Sequence, residues 1–176
     1  MLHVYCDGLC EPFNDGKRGV ATCGWLIQNE ERTIIASGAH FLKEGEGATN
    51  NLAEYGGVIR ALSYLWKEKA WELSAPIQLY SDSQLVIRQL KGEYAVRSDR
   101  VRPLFEQTTR GLAPFRNLTL HWIPRENNAQ ADQLAQQAYA QHVLQHGETC
   151  IGAKYLPYSR VRTSLEWTIR QQQLKK

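Results

Sequence analysis

The hydrophobic spacing of this chain changes once, near residue 50, and that change restricts its architecture more than any other feature. Before it, Leu2–Asp7, Ala21–Gln28 and Arg32–Phe41 read as strands. The polar turn Asn29-Glu30-Glu31 joins the last two, and the glycine-rich stretch Lys43–Gly47 reads as a loop. After it, Leu52, Tyr55, Ile59, Leu62 and Trp66 recur at helical steps, with Val58, Ala61 and Leu65 beside them. That wide apolar stripe predicts a helix running to about Lys69.

Strand and helix then alternate. Pro76 closes a linker, Ile77–Tyr80 is a short strand, and Ser83–Leu90 a helix. Arg102–Leu112 is a further helix, with Pro103 tolerated in its first turn. Asn117–Ile123 alternates as a strand, and the Ala/Gln-rich Asn128–Leu144 is helical. Hairpins followed by βα alternation predict an α/β fold, a mixed five-stranded sheet with helices on its faces. The first, fourth and fifth strands are expected to be parallel and central, with ligands at their carboxyl ends.

At 176 residues, with 43% hydrophobic and 22% charged, the chain is expected to form one soluble domain over residues 1–146. Residues 147–176 form an aromatic and basic extension, expected to pack back, to grip substrate or to mediate association. Ser164 is placed to cap a short helix over Leu165–Leu174. No apolar run approaches a membrane span, and Met1–Tyr5 enters a strand without the character of a signal peptide. The expectation is a cytoplasmic monomer with no membrane association and no obligate protein partner. Four cysteines make no disulfide framework, and Cys6 with Cys10 lacks a second pair at zinc-finger spacing. The net charge of +3 is mild, but Arg88, Lys91, Arg97, Arg100, Arg102, Arg110 and Arg116 concentrate in one stretch. Such a zone fits either a phosphate backbone or an ordinary solvated helix face.

Four carboxylates stand out against this frame. Asp7 ends the run Leu2–Cys6, Asp82 ends Ile77–Ser81, Glu54 lies inside the first long helix, and Asp132 sits near the start of the last. Each has a plain structural explanation. Asp7 before Gly8 suits a turn, Asn51-Leu52-Ala53-Glu54 a capping box, Asp82 an N-cap, and Asp132 a first-turn acid. The combination points elsewhere. Glu54 aligns with Val58, Ala61 and Leu65 and so faces the sheet, while Asp7 and Asp82 converge on one end of it. Packed carboxylates repel unless cations neutralise them, and hard divalent ions with oxygen ligands do so. Two such ions would suit in-line phosphoryl displacement.

The segments Tyr5-Cys6-Asp7-Gly8-Leu9-Cys10, Thr49-Asn50-Asn51-Leu52-Ala53-Glu54, Tyr80-Ser81-Asp82-Ser83-Gln84-Leu85-Val86 and Asn127-Asn128-Ala129-Gln130-Ala131-Asp132-Gln133-Leu134-Ala135 together resemble the four motifs of type 1 ribonuclease H, over roughly residues 2–145. The resemblance implies a sheet of strand order 3-2-1-4-5 with strand 2 antiparallel. It implies an endoribonuclease that hydrolyses the RNA strand of RNA–DNA hybrids with two Mg²⁺ ions, Mn²⁺ substituting, leaving 5′-phosphate and 3′-hydroxyl ends. Asp7, Glu54, Asp82 and Asp132 would be both catalytic residues and metal ligands. Asp7 would bridge the ions, Asp132 serve the attacking-water side, and Glu54 and Asp82 the leaving-oxygen side. Gly8, Cys10, Asn51 and Gln84 would approach the RNA minor groove and its 2′-hydroxyls, and Thr49 and Asn14 a DNA-strand phosphate. Arg125 and Asn128 complete the expected substrate contacts.

Two features depart from many bacterial members. The loop before Asp132 carries no His, with Arg125 or Glu126 in its place, and Gln89–Arg102 is too short for the Lys/Trp-rich basic protrusion. This resembles a variant group, and it leaves room for double-stranded RNA as a substrate. A non-catalytic hybrid-binding module is the other alternative, though it would need none of the four acids. His121 is expected to be packed, and His142 and His146, one helical turn apart with no third ligand nearby in sequence, to be solvated at a helix end.

Overall fold

The structure is a computed structural model that describes residues 1–13, 17–68 and 75–146. Asn14, Cys150 and the whole expected C-terminal extension lie outside the described residues. β1 (Leu2–Pro12), β2 (Arg18–Gln28) and β3 (Ile34–Glu46) form an antiparallel meander. α1 (Asn50–Glu68), β4 (Ile77–Ser81), α2 (Gln84–Leu90), α3 (Arg102–Leu112), β5 (Leu118–Trp122), a 3₁₀ turn (Arg125–Asn128) and α4 (Ala129–His146) follow. The sheet order is β3-β2-β1-β4-β5, as the resemblance implies, with β1, β4 and β5 parallel as expected, but β5 forms an edge of the sheet and is not central. Among the described residues, no helix is long and apolar enough to cross a membrane.

Strand alternation divides the sheet between two cores. Leu2, Val4 and Cys6 of β1 and Ile77 and Leu79 of β4 point to the α1 side, where they pack with Tyr55, Val58, Ala61, Leu62 and Leu65. Leu9, Phe13 and Val20 join Ala135, Tyr139, Ala140 and Val143 of α4 in a second cluster. Asp7 has the same strand parity as Leu9, so it faces away from the larger apolar core.

Several expectations need correction. β1 does not stop at Asp7, because antiparallel pairing with β2 carries it on to Pro12 opposite Gly19. The Lys43–Gly47 loop is largely strand, because β2 supplies partners as far as Arg18 opposite Glu46. Its glycines still matter, since Gly45 and Gly47 take positive φ where the strand turns toward α1. Trp66, expected on the apolar stripe, is exposed, while the neighbouring Leu65 is buried. His142, expected to be solvated, is buried against β3.

Candidate active site

The parallel register of β1 and β4 pairs Cys6 with Ser81, which brings the next residues, Asp7 and Asp82, to the same level. Glu54 comes to this point through a close approach of α1. A Cβ on Gly8 would lie 2.2 Å from the Glu54 backbone nitrogen and 2.3 Å from the Ala53 carbonyl carbon. Only a residue without a side chain lets the helix backbone rest on the strand there. Gly24, opposite Asp7 on β2, performs the same service for α4, since a Cβ would lie 2.4 Å from the Ala131 carbonyl oxygen. Two glycines therefore seat the two helices that carry Glu54 and Asp132.

The capping explanations of the sequence do not describe Glu54 or Asp82, whereas Asp132 does lie in the first turn of α4. α1 begins at Asn50, and Thr49 Oγ1 accepts the Leu52 N–H at 3.1 Å, so Glu54 lies beyond the capping position. Ser83, not Asp82, occupies the N-cap position of α2. Instead, carboxylate oxygens of Asp7, Glu54 and Asp82 lie within 4.8 Å of one another. Asp7 is 2% exposed, and its Oδ2 and the Glu54 Oε2 are buried without a hydrogen-bond partner.

Electrostatics follow from this crowding. Burial and the neighbouring carboxylates of Glu54, Asp82 and Asp132 push Asp7 up to about 9, against a hydrogen bond from the Gly8 backbone that favours the ionised form. Burial and Asp82 push Glu54 up to about 8, opposed by the Arg125 guanidinium and the Gly8 backbone. Three carboxylates converging from β1, α1 and the end of β4, two of them with a buried oxygen left unpartnered, are the donor set of a hard divalent cation, which would restore the ionised forms. The residues present fit such an ion.

Asp132 is the exception among the four. Its Oδ1 accepts a 2.7 Å hydrogen bond from Arg125 and its Oδ2 one from Gln136. It contributes to the field at Asp7 while its carboxylate is held by its own helix and the preceding turn. Asn128 is buried, and its Nδ2 donates to Asp82 Oδ1 at 2.7 Å and to the Cys6 carbonyl at 2.9 Å. Gly8 is half-buried beside the acids, Asn51 lies in the first turn of α1, and Gln84 is exposed at the start of α2. Cys10 and Thr49 line a cleft of about 910 Å³ together with Lys17, Arg18, Lys43 and Arg100.

Trp122 has no place in the site expected from sequence. It ends β5 opposite Ser81, and its Nε1 donates to the Asp82 carbonyl at 3.1 Å. Alternation along β5 gives its direction, but the carbonyl it reaches depends on the β4–β5 register. Gln136 could have been found from its i,i+4 spacing to Asp132.

Known proteins resemble this chain in sequence and in fold. The profile of the reverse transcriptase-like family matches residues 6–138. Ribonuclease HI of Halobacterium salinarum is 33% identical over 138 residues, covering 78% of this chain and 63% of that protein. The bifunctional protein Rv2228c of Mycobacterium tuberculosis is 31% identical over 125 residues, covering 71% of this chain and 32% of that protein. The chain thus spans about a third of the mycobacterial relative and under two thirds of the halobacterial one. The crystal structure of the halobacterial RNase H1 superposes with a TM-score of 0.69 at 31% identity, over 80% of this chain and 98% of that one. LC11-RNase H1, solved in complex with RNA/DNA hybrid, superposes with a TM-score of 0.72 at 28% identity, over 81% of this chain and 99% of that one. With the family profile matching most of its length and the same sheet order as the RNase H structures, the chain belongs to the reverse transcriptase-like family, and within it to the type 1 ribonuclease H proteins.

Proposed function

We propose that this chain is a divalent-metal-dependent endonuclease that hydrolyses the RNA strand of RNA–DNA hybrids, leaving 5′-phosphate and 3′-hydroxyl ends. The observation that carries the reading is the convergence of Asp7, Glu54 and Asp82 with two buried carboxylate oxygens unpartnered. The hybrid bound by LC11-RNase H1 is the substrate class that this reading extends to the present chain.

Asp7, Glu54 and Asp82 would hold the metal, Mg²⁺ by preference and Mn²⁺ as a substitute, with Asp132 joining them. Two such ions stabilise the attacking and leaving oxygens of an in-line phosphoryl displacement. The chain's own groups orient the rest. Asn128 fixes the Asp82 carboxylate from behind. Arg125 and Glu126 stand in the turn before Asp132, where the loop His of other members would be, and the half-exposed Arg125 guanidinium places a cation beside the acids. Lys17, Arg18, Lys43 and Arg100 make the Cys10–Thr49 cleft cationic, suited to a backbone phosphate without sequence readout. Gly8, Asn51 and Gln84 border the acids from β1, α1 and α2, where 2′-hydroxyls would distinguish RNA from DNA.

Single-turnover cleavage of end-labelled hybrid tests this directly. Wild-type protein is expected to cut the RNA strand in Mg²⁺ and not in EDTA. Asp7→Asn is expected to lose at least about a thousandfold in rate while still binding hybrid. Wild-type rates in that variant, or products bearing 3′-phosphate, would overturn the reading. Single-stranded RNA, double-stranded RNA and duplex DNA in the same assay define the substrate range.

A further inference from the structure

The peptide that joins Asp82 to Ser83 is held at both ends by side chains. Its N–H, from Ser83, donates to Ser81 Oγ at 3.1 Å. Its carbonyl, from Asp82, accepts the Trp122 Nε1–H at 3.1 Å. Neither neighbouring element includes this peptide, since β4 ends at Ser81 and α2 begins at Gln84. Asp7 lies inside β1 and Glu54 inside α1, so of the three crowded acids only Asp82 projects from a peptide outside strand and helix.

We propose that Trp122 is a positioning residue for Asp82: its indole N–H fixes the peptide from which the Asp82 carboxylate projects, and so sets how that carboxylate meets a divalent ion. This rests on the metal-dependent function proposed for the same acids.

The geometry gives the indole that leverage. A peptide is planar, so holding its N–H and its carbonyl fixes the plane and with it the direction of the Asp82 Cβ. The Ser81 hydroxyl is a local restraint, carried by the preceding residue. Trp122 is the distant one, and the register of β5 delivers it: Trp122 lies opposite Ser81, and the next N–H, from Ile123, donates to the Ser81 carbonyl at 3.1 Å. Asn128 Nδ2 then holds the Asp82 carboxylate itself at 2.7 Å. Backbone and carboxylate are thus fixed from two different segments, β5 and the turn before α4.

Packing alone does not account for this residue. Trp122 is 48% exposed and belongs to neither apolar cluster. Its ring buries less apolar area than a core side chain would, while its one polar group is spent on the backbone of a metal-binding acid. Partners that orient metal ligands in this way change metal affinity or activity about 10–100-fold when removed.

Two substitutions separate the hydrogen bond from the ring. Trp122→Phe keeps an aromatic ring and loses the N–H. Trp122→His gives up apolar area and keeps a ring N–H, because imidazole Nε2 lies as many bonds from Cβ as indole Nε1 does. The measurement is Mn²⁺ binding by calorimetry on the full chain without hybrid, at about pH 8, where free imidazole is neutral. Trp122→Phe is expected to weaken Mn²⁺ at least about tenfold, and Trp122→His to recover most of that loss. In cleavage assays at limiting Mg²⁺, kcat is expected to fall in the same order with KM for hybrid unchanged. Circular dichroism of the metal-free variants, matching wild type, establishes that they fold. A ring that serves only as an apolar cover predicts the reverse order, with Phe the better replacement. Any result in which Trp122→His does not bind Mn²⁺ more tightly than Trp122→Phe would overturn the proposal. Wild-type protein that takes up no Mn²⁺ would overturn it together with the metal-dependent function. The expected order of Mn²⁺ affinities in a protein that leaves hybrid uncut would support the positioning role and overturn the substrate reading alone.

Discussion

Arg125 holds Asp132 at 2.7 Å, while the carboxylates of Asp7, Glu54 and Asp82 face one another. The fold thus divides the four acids into one that pairs with a cation of its own chain and three that crowd around a common point. The same guanidinium also acts on Glu54, favouring its ionised form.

Removing that guanidinium should therefore shift the pH response. Arg125→Gln takes away a charge that opposes the upward shift of Glu54, so the Glu54 carboxyl rises further and is less ionised at neutral pH. At limiting Mg²⁺, the acid limb of the cleavage-rate profile is expected to move to higher pH. A pH series at several Mg²⁺ concentrations checks this, and an unmoved limb contradicts it.

The buried acids also set how stability depends on pH. A carboxyl raised in the folded state holds its proton more tightly there than in the unfolded chain. Its contribution is complete below the unfolded value of about 4 and is lost as pH rises through about 8 for Glu54 and about 9 for Asp7. Metal-free protein is expected to melt at progressively lower temperature from about pH 5 to about pH 9. A carboxyl held one pH unit above its unfolded value accounts for at most about 1.4 kcal/mol of that loss. Mg²⁺ should restore more of the loss at higher pH. Asp7→Asn should flatten the dependence and raise Tm at about pH 8, as read by thermal melts in EDTA.

Asn128 is expected to act through Asp82. In Asn128→Ala the Cys6 carbonyl loses a buried donor and the Asp82 carboxylate loses its anchor. The cost in stability is about 1–3 kcal/mol, and the cleavage rate should fall about 10–100-fold. Because Asn128 is buried, KM for hybrid should change little. Urea denaturation and steady-state kinetics measure the two effects, and an effect confined to KM would place Asn128 at the substrate instead.

Gly8→Ala tests whether the close approach of α1 matters to the site. The added Cβ meets the backbone of Ala53 and Glu54, neither of which can move without the helix. Overpacking of this kind costs about 1–3 kcal/mol, and a displacement of Glu54 by about 1 Å should lower the rate about a hundredfold. Denaturant melts and cleavage assays should show both losses, and a wild-type rate would mean that the helix tolerates the shift.

Much of this molecule is legible along the chain. The change from strand to helix periodicity near residue 50 places the meander before α1, and βα alternation places β4 and β5 parallel to β1. The apolar runs that lead into Asp7 and Asp82 and the inward alignment of Glu54 with Val58, Ala61 and Leu65 are enough to bring three acids to one place, even though β1 itself continues past Asp7. Local patterning carries these features because side-chain direction repeats every two residues in a strand and about every 3.6 in a helix.

Only the tertiary structure decided the partners. Asp132 meets Arg125, Asn128 is turned inward to Asp82, Trp122 reaches the Asp82 carbonyl, and His142 finds Glu44 across 98 residues of chain. The extension of β3 through Gly45 likewise depends on β2 lying alongside it. These outcomes rest on register and on how closely helices approach the sheet. Both are set by packing between distant segments, which no local period records.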